Sequence, residues 1–152
     1  EKQYMGERVF MFKIKSQVEF DTAHYLSGYI GKCSNIHGHR YKLIAKIKSE
    51  KLHKEGQLRG MVDDFGNFKN ALKEIAEGYD HKFIIEENEE GKALAEKLKE
   101  LQNDFKIVFV PYRPTAEEMS REIFNKLKAK GFKVYEVELF ETPNNSYIYT
   151  EE

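Results

Sequence analysis

From Val9 to His24 the even positions read Phe10, Phe12, Ile14, Ser16, Val18, Phe20, Thr22 and His24, while Lys13, Lys15, Gln17, Glu19 and Asp21 fall on odd ones. A period of two with charge on one side predicts a long, half-buried strand. The alternation returns from His37 through His39, Tyr41, Leu43, Ala45, Ile47 and Ser49, with Arg40, Lys42, Lys46 and Lys48 on the other side. This second run predicts an antiparallel partner for the first.

After "EKLHKEGQLRG" the period changes. Phe65, Phe68, Leu72, Ile75, Ala76 and Tyr79 follow the helical repeat, with Asp63 or Asp64 available as a cap, and predict a helix over roughly 64–77. Leu94, Leu98 and Leu101 outline a shorter helix behind the acidic "EENEEG", whose charges imply exposure. "KIVFV" is a brief β-like run ended by two prolines. Thr115 and Glu118 then read as a capping box for a helix carrying Met119, Ile123, Phe124 and Leu127, stopped at Gly131. "FKVYEVELFET" alternates again, and "NNSYIYTE" after a turn reads as the last strand. The main elements run strand, strand, helix, helix, strand, strand, an α+β pattern with helices expected on one sheet face.

Length and composition narrow the picture. The 152 residues, 40% of them hydrophobic, suffice for one core, so a single domain over 1–152 is expected, with residues 1–7 read as a flexible or processed extension. Twenty-five basic against 26 acidic residues leave a net charge of -1, which provides no overall field for nucleic acid or an anionic membrane. One cysteine excludes an internal disulfide, and no apolar run is long enough to span a bilayer or serve as a signal-peptide core. The expected compartment is the cytoplasm.

The chemistry gathers at strand ends. His37 and His39 are two apart and share the apolar parity of their strand, with Gly38 leaving the other side clear; His24 ends the first strand on its own apolar parity. Three imidazoles converging from a hairpin make the protein half of an open zinc site, although each alone is equally an ordinary hydrogen-bonding residue. Cys33, four residues before His37, suits a fourth ligand, a nucleophile or base beside a metal, or a plain buried cysteine. Asp80 and His81 form either a carboxylate-polarised imidazole or a turn signal. Glu141 sits at the end of the buried parity of its strand, where a carboxylate needs donors; an aminopyrimidinone edge offers two in line, and an internal arginine or backbone partner is the alternative. The capping box accounts for Thr115 and Glu118, while Glu117 is left over.

With these pieces in view, the chain resembles the 6-pyruvoyltetrahydropterin synthase and 6-carboxytetrahydropterin synthase family. The matching stretches are "FDTAHYL", "CSNIHGHRY", "GMVDDF", "YDHKFI", "PTAEEM" and "ETPNNSYIY", in the family's order from end to end. The resemblance implies the tunnelling fold, a four-stranded antiparallel sheet with two helices on one face, assembled into trimers that stack as hexamers with active sites between subunits. It implies Zn2+ held by His24, His37 and His39, Cys33 as general base, Asp80 and His81 as the acid/base dyad, and Glu141 as pterin anchor, with Thr115 and Glu117 lining the pterin pocket. The implied substrate is 7,8-dihydroneopterin triphosphate. The short Cys33–His37 spacing is similar to that of the bacterial 6-carboxy enzymes of the queuosine pathway. The rival readings are 6-pyruvoyltetrahydropterin synthesis and a non-enzymatic zinc-stabilised module. Tyr79, where leucine commonly precedes Asp-His, and the long segment from His81 to Pro114 depart from the family pattern.

Overall fold

The computed structural model describes residues 10–152, together with the backbone of residues 4–5 and 8–9; the expected extension over 1–7 falls largely outside the described residues. The two short strands β1 (Tyr4–Met5) and β2 (Arg8–Val9) pair with each other, so the long strand starts at Phe12 rather than Val9. That strand, β3 (Phe12–His24), pairs along its whole length with β4 (His37–Ser49), Phe12 facing Ser49 and His24 facing His37. On β4, Tyr41, Leu43 and Ala45 are wholly buried. Each large apolar side chain so buried contributes about 1.5–3 kcal/mol, and a one-residue slip would turn all of them outward.

The sheet is larger than the alternation predicts. Six strands run in the order β6-β5-β3-β4-β7-β8, with β7 (Val134–Thr142) and β8 (Asn145–Thr150) antiparallel as expected. On the other flank, β5 (Lys82–Glu86) pairs parallel with β3, and β6 (Ile107–Val110) parallel with β5. The expected four-stranded antiparallel sheet is therefore a six-stranded mixed one. The reason lies in "KFII", a short buried run without alternation, whose parallel pairing is a long-range event joined by a crossover.

That crossover is a third helix, α2 (Glu89–Leu101), placed between α1 (Phe65–Glu77) and α3 (Ala116–Ala129). Helices α1 and α3 pack on one face of the sheet, burying Phe68, Leu72, Met119, Ile123 and Leu127 against Phe20, Leu43 and Val137. Helix α2 covers the opposite face at the β5–β6 edge. Ile84 joins the main core while its neighbour Ile85 joins Tyr25 and Ala95 in a second cluster, as successive strand residues must. The expectation of helices on one face holds for two of the three. No helix among the described residues is long and apolar enough to cross a membrane.

Candidate active site

Strand parity and register bring His24, His37 and His39 together at the closed end of the β3–β4 ladder. One ring nitrogen from each lies within 4.8 Å of the others. The Nδ1 of His24 is 2.7 Å from the Pro114 carbonyl, and that of His37 is 2.7 Å from the Asn35 carbonyl. A carbonyl only accepts, so both Nδ1 atoms carry the proton and both Nε2 atoms present lone pairs. These lone pairs face each other at 3.1 Å.

A carboxylate closes the arrangement. Glu141 Oε1 lies 3.4 Å from His24 Nε2 and 3.3 Å from His39 Nε2. Burial is the chief cause that holds His24 and His39 below the usual imidazole range, which keeps them neutral. Neutral imidazole lone pairs aimed at one another and at a carboxylate repel unless a cation lies between them. Three imidazole nitrogens in tetrahedral coordination at about 2.0–2.1 Å stand about 3.4 Å apart, close to the 3.1 Å between the Nε2 atoms of His24 and His37. The donor set and the carbonyls that orient it fit a zinc-type cation.

Tyr41 lies beneath the cluster, fully buried, with its hydroxyl 3.4 Å from His24 Nδ1 and 3.5 Å from Nε2. Gly38 is explained by space. It pairs with Ala23, and a Cβ there would stand 3.2 Å from the Thr22 carbonyl.

Cys33 sits apart, half-buried in a single 3-10 turn, Lys32–Ser34, whose Cys33 carbonyl accepts from Leu26 N–H at 2.9 Å. It is not among the groups whose ligand atoms meet within 4.8 Å. Cys33 is therefore not grouped with the three imidazoles in this chain.

Asp80 and His81 form a genuine pair, His81 Nδ1 lying 2.9 Å from Asp80 Oδ2. Asp21 N–H donates to Asp80 Oδ1 at 2.9 Å, and Arg40 Nη1 reaches Asp21 Oδ2 at 2.8 Å. The Asp21 N–H and then His81 hold Asp80 below the usual carboxylate range, while Asp80 raises His81. His81 lines a cavity of about 690 Å³ chiefly with Asp21, Ala23, Gly38 and Arg40, and Thr22 and His39 border it as well. Asp21, Ala23, Gly38 and Arg40 alternate with the residues that carry the imidazoles. The dyad's cavity thus opens mainly on the opposite face of the sheet, with His39 the imidazole that also borders it.

Thr115 caps α3, its hydroxyl accepting from Glu118 N–H at 3.2 Å. Only half of the expected capping box forms, because Thr115 N–H donates to the Arg113 carbonyl and the Glu118 carboxylate turns to Arg121. Glu117 is exposed on the first turn, near enough to Tyr147 to be the main cause that raises its hydroxyl pKa. Sequence reasoning missed Tyr41, Asp21 and Arg40. Tyr41 shares the parity of His37 and His39, and Arg40 faces Asp21 once the register is known; the carbonyls of Pro114 and Asn35 leave no trace in a sequence.

Known proteins share both the sequence and the fold. A curated protein of Haemophilus influenzae named 6-carboxy-5,6,7,8-tetrahydropterin synthase is 42% identical over 144 residues, spanning 93% of this chain and 100% of its own. One of the same name from Rickettsia felis is 36% identical, over 88% of this chain and 96% of its own. The crystal structure of Plasmodium vivax 6-pyruvoyltetrahydropterin synthase superimposes with a TM-score of 0.68 at 19% identity, covering 94% of this chain and 99% of that one, which speaks for the fold. The family model described as 6-pyruvoyl tetrahydropterin synthase matches residues 13–152, and the chain belongs to that family.

Proposed function

We propose that this protein, an enzyme of the tetrahydropterin synthase family, converts 7,8-dihydroneopterin triphosphate and one water to 6-carboxy-5,6,7,8-tetrahydropterin, acetaldehyde and triphosphate in queuosine precursor synthesis. The observation that carries the reading is the convergence of three imidazoles, two of them oriented by backbone carbonyls, with Glu141 at their edge. The name shared by the relatives from Haemophilus influenzae and Rickettsia felis supports the 6-carboxy product.

His24, His37 and His39 would hold Zn2+, which when bound polarises the oxygens on the substrate's side chain. Glu141 anchors the pterin by accepting from its ring N–H and amino groups. Thr115 and Glu117, at the start of α3, line the pterin pocket. Cys33, as thiolate, removes a carbon-bound proton from that side chain, and the Asp80–His81 pair manages protons as the side chain breaks and triphosphate leaves. The lone free thiol suits a cytoplasmic setting.

The placement of the dyad across the sheet from the imidazoles supports a site shared between subunits. His81 then acts on substrate held by a neighbour's imidazoles, in a trimer-based hexamer. Incubation of zinc-loaded protein with dihydroneopterin triphosphate, followed by mass analysis, tests the reading. Acetaldehyde together with the 6-carboxy product is expected; accumulation of 6-pyruvoyltetrahydropterin would assign the other branch, and no consumption would defeat both.

A further inference from the structure

Tyr79 immediately precedes the dyad, and its hydroxyl donates to the Glu122 carboxylate of α3. Lys126 Nζ, one turn on, lies 3.1 Å from the Tyr79 hydroxyl and 3.1 Å from Glu122 Oε1, and 4.7 Å over the Tyr79 ring. The ring itself is buried and stacks on Phe20 at 5.6 Å. Burial works to raise Glu122, but Tyr112, Tyr79 and Lys126 outweigh it and hold the group below the usual carboxylate range. A half-buried carboxylate facing two tyrosines is a costly arrangement to keep for packing alone.

What it holds is a strained turn. His81 has φ +57°, and no other non-glycine residue among those described has a positive φ. Its N–H donates to the Asp21 carbonyl at 2.6 Å, and Asp80 N–H donates to the Ala76 carbonyl at 2.8 Å. A left-handed residue persists only where its surroundings over-determine it. Strand β3 fixes the turn from one side, and Tyr79 fixes it from the helix layer. The same helix α3 begins beside the Pro114 carbonyl that orients His24. One element thus sets an imidazole of the metal cluster at its start and the flank of the dyad at its middle.

We propose that Tyr79 and Glu122, with Lys126, form a positioning network that holds the Asp80–His81 turn against helix α3 in its working geometry. The role rests on the proposed reaction, in which His81 moves protons, but the geometry of the network does not. The test uses full-length, zinc-loaded Tyr79→Phe, Glu122→Gln and the double variant. Each single variant is expected to lower kcat by between about tenfold and a hundredfold, as for a displaced catalytic group, with KM and bound zinc unchanged. The double variant should be no slower than the worse single one, since both cut one connection.

NMR titration of His81 supplies a readout that a merely structural role would not move. His81 faces Asp80, Asp21 from β3 and Arg40 from β4, with His39, Lys82 and Lys106 lining the same cavity, and neither substitution touches these groups. Loosening the turn should bring the His81 midpoint back towards that of a free imidazole. A fall in melting temperature with kcat and the His81 midpoint at wild-type values would overturn the proposal. Should Glu122→Gln fail to fold, Tyr79→Phe decides alone, because it removes one oxygen and keeps the ring on Phe20. If the wild-type protein leaves dihydroneopterin triphosphate untouched, the proposed reaction fails while the His81 titration still judges the network.

Discussion

Asp80 and His81 each hold the other in its charged form, and the signs of their shifts define a pH window. Asp80 is lowered, so its stabilising contribution is present above the ordinary carboxylate range and is lost as pH falls through its own lowered value. His81 is raised, so its contribution is full below about 6.5 and is lost as pH rises through its own higher value. The ion pair therefore holds from the lowered value of Asp80 up to the raised value of His81. NMR titration should find the His81 midpoint above about 6.5, with Asp80→Asn moving it down; an unshifted wild-type imidazole would contradict this. At the imidazole cluster the residues separate by role. His37→Ala leaves two imidazoles and should weaken zinc binding by more than about a hundredfold, measured by competition with a chelator. Glu141→Ala keeps all three imidazoles, so zinc content should stay at one per subunit while KM rises; loss of zinc would make Glu141 a ligand instead of a pterin anchor.

At the scale of elements, the long hairpin is legible in the sequence because one face of it is buried. Parity alone places His24, His37, His39 and Tyr41 on the side of Phe20 and Leu43, and it puts Glu141 with Val137 and Leu139. The β5–α2–β6 unit is not legible, because its strands are short, their pairing is parallel, and "KFII" buries both of its faces, which erases the period of two. The position of Cys33 is equally hidden, since a loop carries no parity. Helix α2 is visible in outline, yet the device that seats it is not. A Cβ on Gly91, in its first turn, would stand 2.1 Å from the Glu86 carbonyl and 2.7 Å from Ile85 Cγ2. Gly91→Ala should therefore push α2 off β5 and cost about 1–3 kcal/mol, read by urea unfolding. Because α2 packs on the face of the dyad's cavity, through Leu98, the same variant should lower turnover while leaving zinc content unchanged.

On the proposed reaction, the whole molecule carries two halves of one site that do not face each other. The imidazoles and Glu141 lie on the helix-packed side of the sheet, and His81 opens onto the other side, into the cavity bounded by Asp21, Ala23, Gly38 and Arg40. The strand pair lies between them, with His39 the one imidazole of the cluster that also borders the cavity. Strands β6 and β8 end the sheet with one side of each unpaired among the described residues, which leaves edges for neighbouring copies to meet. If each site takes imidazoles from one subunit and the dyad from the next, two inactive variants should rescue each other. His24→Ala keeps a working dyad, and His81→Ala keeps a working metal cluster. In an equal mixture assembled by co-expression, a site works when its imidazoles come from the second variant and its dyad from the first. Each condition is met about half the time, so about one quarter of wild-type activity should return. Sites contained within one subunit would regain none, because every subunit in the mixture lacks one half of the machinery. Turnover of the co-expressed mixture, compared with each variant alone at the same zinc content, decides between the two.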